Sequence, residues 1–189
     1  DGDFIKHNPL MRKLAENNWD YAEPGILYWD NINNHNLLSE YIKNGEFEYA
    51  GVNPCAEEPL PAGGSCLLGA INLSEFVISP FTNEAEFDID YFMNAVDIAV
   101  EALNEVLDEG LELHPLEMQR KCVSEWRQIG LGIMGFADAL IKLGIPYGSK
   151  ESLEMIDEIG EAMNEAGIVS SAWLASEKSP FSKYNEKYI

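Results

Sequence analysis

The stretch between residues 50 and 65 constrains the fold of this chain more than any other part of its sequence. It contains three prolines and a pair of adjacent glycines, all of which break regular structure: Pro54, Pro59, Pro61, Gly63 and Gly64. Because proline cannot donate a backbone hydrogen bond, the segment is predicted to be an irregular loop, not a helix or a central strand. Residues 66–73 follow as a mostly apolar run, which predicts a buried strand. The chain is therefore expected to bring a polar loop to the start of a strand.

Helical spacing of apolar residues dominates the rest of the chain. It predicts helices over residues 8–22, 36–43, 88–109, 123–143 and 149–177, with one further short strand over residues 26–29. Asn8 and Pro9 are residue types that favour a helix start. Three glycines, Gly130, Gly132 and Gly135, predict a bend or a close helix approach within the fourth helix.

Charge and cysteine content exclude several classes of protein. A net charge of −21 over 189 residues repels phosphate backbones, so nucleic-acid binding is not expected, although local donors can still bind one nucleotide. Three cysteines do not suit a disulfide-stapled secreted domain. The sequence has no apolar run of transmembrane length and no visible signal peptide, which predicts a cytoplasmic protein without a membrane partner. Neither end carries a terminal signature, so we expect a piece of a longer protein.

An amide, a thiol and a carboxylate alternate at Asn53, Cys55 and Glu57. In an extended loop, alternate residues point to the same side, so these three groups are predicted to face one pocket. An amide can bind hydroxyls, a carboxylate can take a proton, and a thiol can act as nucleophile or hydrogen-atom donor. Cys66 can return beside the loop, where a second thiol would allow redox chemistry. These residues alone leave open a purely structural role for the thiols.

The remaining metal-ligating residue types form no motif. His7, His35 and His114 have no ligand-like spacing with one another or with the cysteines, so no metal site is expected. Cys122 lies in a predicted helix and is expected to be structural.

The segment from Asn53 to Glu57, followed by residues 64–73, resembles the active-site loop and next strand of the ribonucleotide reductase catalytic subunit. Residues 23–28 and 127–138 are also similar to that family, so the resemblance covers most of the chain. It implies an α/β fold in which this chain is a mostly helical portion of a ten-stranded α/β barrel, shared with the glycyl-radical enzymes. Residues 1–189 would form part of the catalytic barrel domain, and open strand edges would favour a homodimer.

The resemblance also implies a role for each residue of the motif. Cys55 would become the thiyl radical that removes the ribose 3′-hydrogen. Glu57 would deprotonate the 3′-hydroxyl while the 2′-hydroxyl leaves as water, and Asn53 would hold the ribose hydroxyls. Cys66 would be one member of a redox-active disulfide whose partner is absent from this chain. The neighbouring Glu58 is expected to be a solvated surface carboxylate.

The expected activity is that of a ribonucleoside-diphosphate reductase, with the isolated fragment inactive. Pro54 before Cys55 and the sequence of residues 64–66 resemble the adenosylcobalamin-dependent group, so adenosylcobalamin is the expected cofactor. The alternative is no cofactor in this subunit, with the radical supplied by a separate metal-containing subunit. The implied partners are a ribonucleotide substrate, a thioredoxin-like reductant, and dNTP or ATP effectors bound by parts absent from this chain.

Two alternatives compete with this interpretation. A thiol–disulfide exchange protein using Cys55 and Cys66 would not need Asn53 or Glu57, and its cysteines usually lie closer together in sequence. An acidic helical interaction module without activity would leave the alternation of amide, thiol and carboxylate unexplained.

Overall fold

A computed structural model describes residues 7–34 and 36–188, and the chain divides into two compact units, Asp1–Phe47 and Glu48–Ile189. Among its described residues, the first unit contains three helices: α1 (Pro9–Tyr21), α2 (Trp29–Asn34) and α3 (Ser39–Lys43). The Asn8 side chain accepts hydrogen bonds from the Leu10 and Met11 amides at 3.0 and 3.2 Å, which caps α1. The predicted helix over residues 8–22 is confirmed, and the one over residues 36–43 is confirmed in its second half.

The predicted strand over residues 26–29 is wrong. Residues 26–28 have no regular structure, and Trp29 begins α2. A strand requires a hydrogen-bonded neighbour, and no strand occurs among the described residues of this unit. Periodicity cannot separate such a short apolar run from the approach to a helix.

The described part of the second unit combines short strands with four α-helices. Its strands are β1 (Gly51–Val52), β2 (Pro59–Leu60), β3 (Leu67–Asn72), β4 (Val77–Ile78), β5 (Glu86–Phe87) and β6 (Ile129–Met134). Its α-helices are α4 (Ile89–Leu111), α5 (Glu117–Trp126), α6 (Phe136–Leu143) and α7 (Lys150–Lys178), with 3₁₀ turns at Leu73–Phe76 and Glu186–Tyr188. The strands pair as β1–β2 and β4–β5, both antiparallel, and as β3–β6, which is parallel.

The parallel pair β3–β6 confirms one prediction and corrects another. The strand predicted over residues 66–73 is present as β3, and it pairs in register with β6 from Leu67 opposite Ile129 to Asn72 opposite Met134. Residues 123–143 were predicted as one helix, which is wrong, because β6 lies between α5 and α6. Two parallel strands must be joined by a long crossover connection, usually one that contains a helix. The connection between β3 and β6 contains α4 and α5.

The glycines of β6 explain the error. Glycine disfavours a helix interior but lets a neighbouring chain approach closely. A Cβ atom on Gly130 would lie 2.8 Å from Leu68 Cδ2 and 3.1 Å from Cys66 Sγ, so the pair of strands leaves no room for a side chain there. Gly135 then adopts a positive φ of 73° immediately before α6.

A hydrophobic core holds β3 in place. It is formed by β3, the turn after it and the inner faces of α4, α6 and α7, with Leu73, Phe92, Val96, Leu140 and Ile159 fully or almost fully buried. Both long helices begin as predicted: the Asp88 side chain caps α4 through the Tyr91 amide, and Ser149 caps α7 through the Ser152 amide. The second half of β3 and the turn after it are thus packed into the core.

A candidate active-site hairpin

The predicted loop begins as a narrow β-hairpin with Cys55 at its tip. Strands β1 and β2 pair with Gly51 opposite Leu60 and Val52 opposite Pro59. The backbone N–H of Asn53 donates to the backbone carbonyl of Glu58 at 3.3 Å. A turn closes the tip, because the Ala56 amide donates to the Asn53 carbonyl at 3.0 Å. No helix passes through Cys55, and the segment leads into β3 as predicted.

The backbone at the tip is a turn and not the extended loop of the prediction. Ala56 has a positive φ of 67°, which reverses the chain between Cys55 and Glu57. Simple alternation of side chains therefore does not apply here. The turn nevertheless brings Asn53 and Glu57 together, since Asn53 Nδ2 donates to Glu57 Oε1 at 2.5 Å. Cys55 lies between them in sequence with an exposed, free thiol.

Asn53 organises the tip through both ends of its amide. Its Nδ2 holds the Glu57 carboxylate, and its Oδ1 accepts from the Glu58 backbone amide at 3.1 Å. An amide can do this because it is both donor and acceptor. The result is a carboxylate in a defined position, two residues from an exposed thiol.

Cys66 lies immediately before β3 and is half-buried. Its thiol donates a hydrogen bond to Glu58 Oε1. The expectation that Glu58 is a solvated surface carboxylate is therefore wrong: the residue is half-buried and bonded to the second thiol. Sequence spacing could not show this contact, because it depends on how the hairpin folds back against β3.

The surroundings of Cys66 raise its pKa to about 12. Burial is the largest cause, followed by the hydrogen bond to Glu58 and by the negative charges of Glu58 and Glu57. Cys66 therefore remains a protonated thiol at neutral pH, a state suited to giving up hydrogen and unsuited to nucleophilic attack.

A cavity of about 300 Å³ opens beside Cys66. It is lined on one side by Ser65, Cys66 and Leu67 and on the other by the end of α4 and the loop carrying His114. Its surface is mostly apolar and includes Val106 and Leu107 of α4. The thiol of Cys66 thus lies between a carboxylate and an open apolar pocket.

The other sequence expectations concern Cys122, metals and membranes. Cys122 is buried in α5, and burial together with the charge of Glu125 raises its pKa, which fits an inert structural thiol.

Among the described residues, no three His, Cys, Asp or Glu side chains are grouped as metal ligands. His35 lies outside the described residues. No helix of the described chain combines the length and apolarity needed to cross a membrane.

Comparison with known proteins identifies relatives over most of the chain. Residues 3–189 match the family model described as ribonucleotide reductase, barrel domain. The chain is 37% identical over 178 residues to the vitamin B12-dependent ribonucleoside-diphosphate reductase of Thermoplasma acidophilum, covering 94% of this chain and 22% of the relative. It is 30% identical over 165 residues to the enzyme of that name from Mycobacterium tuberculosis, covering 87% of this chain and 22% of the relative.

Two further comparisons concern proteins not named as B12-dependent. The ribonucleoside-diphosphate reductase subunit alpha of Chlamydia trachomatis is 34% identical over 188 residues, covering 95% of this chain and 16% of the relative. The solved structure of the Actinobacillus ureae class Id ribonucleotide reductase alpha subunit matches with a TM-score of 0.75 at 19% identity, covering 96% of this chain and 35% of that one. This likeness confirms the predicted fold, a mostly helical part of a larger barrel. The chain spans about a fifth of the length of the curated relatives it matches.

Proposed function

Because the chain belongs to the barrel-domain family of the ribonucleotide reductases, we propose that the intact protein reduces ribonucleoside diphosphates to 2′-deoxyribonucleotides by thiyl-radical chemistry. One observation supports the proposal beyond family membership: the hairpin tip carries an exposed thiol at Cys55, and the side chains of Asn53 and Glu57, two residues away on either side, are hydrogen-bonded to each other. Residues 1–189 form part of the catalytic barrel domain, and the rest of the protein supplies what this part lacks.

Cys55 carries the radical. As a thiyl radical it takes the 3′-hydrogen of the ribose, so that one S–H bond forms and one C–H bond breaks. The two bonds are comparable in strength, so the hydrogen can be returned to the ribose after the 2′-position has been reduced. The exposed tip suits this role, because the sulfur must contact a substrate that arrives from outside the chain.

Glu57 and Asn53 act on the ribose hydroxyls. Glu57 takes the proton of the 3′-hydroxyl while the 2′-hydroxyl leaves as water, a task that requires a base within hydrogen-bond reach. Asn53 holds this carboxylate through Nδ2, and its amide is of the type that binds a diol. Substrate binding would exchange part of the contact between these two side chains for contacts with the sugar.

Cys66 supplies reducing equivalents together with a partner cysteine outside this chain. In the overall balance, one ribonucleotide and two thiols give one deoxyribonucleotide, one water and one disulfide. The raised pKa of Cys66 keeps it in the thiol form that this balance consumes. A thioredoxin-like reductant then restores both thiols by disulfide exchange.

Adenosylcobalamin is the proposed source of the radical, supported by the names of the two relatives from Thermoplasma and Mycobacterium. When bound, this cofactor supplies an organic radical that can oxidise a thiol. The cavity beside Cys66, of about 300 Å³, is too small to enclose a corrinoid. A separate metal-containing radical subunit is the alternative, and the Chlamydia relatives carry only the subunit alpha name.

The proposal includes the wider setting of the enzyme. We place it in the cytoplasm, with dNTP or ATP effectors bound by other parts of the protein. Exposed apolar side chains on β3 and β6, among them Leu68 and Met134, support association with further strands or with a second copy.

The proposal is tested by assaying the intact protein with a ribonucleoside diphosphate and a dithiol. Deoxyribonucleotide should form when adenosylcobalamin is added and not in its absence. Formation only on addition of a metal-containing radical subunit would replace the cofactor assignment and keep the reaction. If neither addition yields deoxyribonucleotide, the proposed function is wrong.

A further inference from the structure

Glu58 holds a position that the catalytic scheme above does not use. Its carboxylate accepts the hydrogen bond of the Cys66 thiol, while its backbone is tied to Asn53 at two points. The backbone N–H of Glu58 donates to Asn53 Oδ1 at 3.1 Å, and the backbone carbonyl of Glu58 accepts from the backbone N–H of Asn53 at 3.3 Å. Glu58 is thus a rigid link between the hairpin tip and the second thiol.

The packing around this link leaves the carboxylate little freedom. A Cβ atom on Gly130 would collide with Glu58 Oε1 and would lie 3.1 Å from Cys66 Sγ. The backbone of β6 therefore forms a wall against which Glu58 and Cys66 are held together. The close approach requires a residue without a side chain at position 130. Glycine is therefore needed there for the contact of Glu58 with Cys66 as well as for the strand pairing.

From this geometry we propose that Glu58 is a positioning residue for Cys66: it fixes the direction of the S–H bond and holds the sulfur as a thiol until the redox step. The inference rests on the proposed function, in which Cys66 is a redox cysteine. It adds a residue whose contact links the ribose-binding Asn53 to the reducing thiol.

The chemical consequence is protection of Cys66 from premature exchange. A thiolate, not a thiol, attacks disulfides and alkylating reagents, so a carboxylate bonded to the thiol suppresses both reactions. The charged and titratable groups that face Cys66 are Glu58 and Glu57 of the hairpin and, across the cavity, His114. Both carboxylates raise the pKa of Cys66, and Glu58 does so through its hydrogen bond as well as its charge.

The test is the rate of Cys66 alkylation in the intact protein, followed between pH 7 and 9.5 with iodoacetamide and peptide mass spectrometry. Glu58→Gln keeps the shape of the side chain and removes its charge. Because the charge raises the pKa of Cys66, its removal should lower that pKa and increase the thiolate fraction. A tenfold faster alkylation at any pH in the range corresponds to a fall of about one pH unit in the midpoint. Glu58→Ala should act in the same direction.

Two matched measurements separate positioning from general disturbance. Glu57→Gln removes a nearby charge without touching the thiol, so Cys66 alkylation should change by much less than in Glu58→Gln. Buried Cys122 serves as an internal reference, and its labelling should stay as in the wild type if the fold is intact. Unchanged Cys66 alkylation in either Glu58 variant, or equal acceleration of Cys66 and Cys122, would overturn the proposal.

This readout does not depend on turnover. Failure of the wild-type protein to reduce nucleotides would count against the proposed function, whereas the Glu58 contact is decided by the alkylation rates alone. In an active protein, Glu58→Gln should also change the pH profile of disulfide re-reduction. A substitution that only loosened the structure would lower the rate at every pH equally.

Discussion

Cys55 lies exposed at the tip of a hairpin whose shape is set by contacts within a few residues, whereas Cys66 lies half-buried where a strand enters the core. The first thiol is open to solvent. The second is bonded to a carboxylate and has its pKa raised to about 12. The comparison shows that two thiols eleven residues apart differ in exposure and in protonation: Cys55 is open to solvent, and Cys66 is bonded to a carboxylate and stays protonated. Local turns accomplish the first, and tertiary packing accomplishes the second.

The largest expected effect is at the exposed thiol. In the intact protein, Cys55→Ser should abolish deoxyribonucleotide formation, because the O–H bond of serine is too strong to be formed and broken reversibly. The buried Cys122→Ser provides the matched control and should retain activity, provided that its melting temperature is near that of the wild type. Residual turnover of even a few percent in Cys55→Ser would remove Cys55 from the radical position.

The protected thiol should fail in a different way. Cys66→Ser should permit at most a single turnover, which ends in decay of the nucleotide and release of free base, because the radical can form but the electrons are missing. Rapid-quench analysis of products per active site measures this. Sustained turnover with a dithiol would show that Cys66 does not take part in the redox step, and that the proposed roles of Cys55 in radical formation and Cys66 in reduction are wrong.

A smaller loss is expected from the carboxylate beside the exposed thiol. Glu57→Gln should lower kcat by about 10²–10⁴-fold, the usual contribution of a positioned general base. Glu161→Gln, an exposed carboxylate on α7, is the control and should leave kcat unchanged. Full activity of Glu57→Gln would mean that the contact with Asn53 serves the shape of the hairpin and not the reaction.

The last prediction tests whether the environment of Cys66, unlike that of Cys55, depends on the packing of the hydrophobic core. Phe92 of α4 is fully buried, so Phe92→Ala should lower the free energy of unfolding by about 3–5 kcal/mol. Ile98→Ala on the exposed face of the same helix should change it by less than about 1 kcal/mol. Urea denaturation measures both. Loosening the core should also speed alkylation of Cys66 more than that of Cys55; equal acceleration would contradict the comparison.

Part of this architecture could be predicted from sequence because its causes are local. Asn8 caps α1 with its own side chain, and the starts of α4 and α7 follow the same rule. The apolar run of β3 was recognisable because a buried strand leaves a continuous hydrophobic signal. Asn53, Cys55 and Glu57 are recognisable as a group because they are close together in the chain and resemble a known motif.

The errors arose where distant segments decide the structure. Apolar residues recur at helical spacing over residues 123–143, yet residues 129–134 form β6, because β3 offers a partner that the glycines of this segment allow to approach closely. Residues 26–28, with β-favouring side chains, stay outside any strand because no described residue of their unit pairs with them. The spacing of apolar residues in a sequence indicates which face of a helix or strand is apolar. It does not indicate whether another strand is available for pairing.

The sequence by itself determined the starts of α1, α4 and α7, the loop before β3 and the residue types available for chemistry at Asn53, Cys55, Glu57 and Cys66. Only the tertiary structure decided that Glu58 belongs to Cys66, since that contact joins a hairpin to a strand against the backbone of Gly130. The physical reason is the range of the interactions. Caps and turns form within a few residues, whereas the burial and charge that raise the pKa of the Cys66 thiol depend on how the hairpin folds back against β3 and β6.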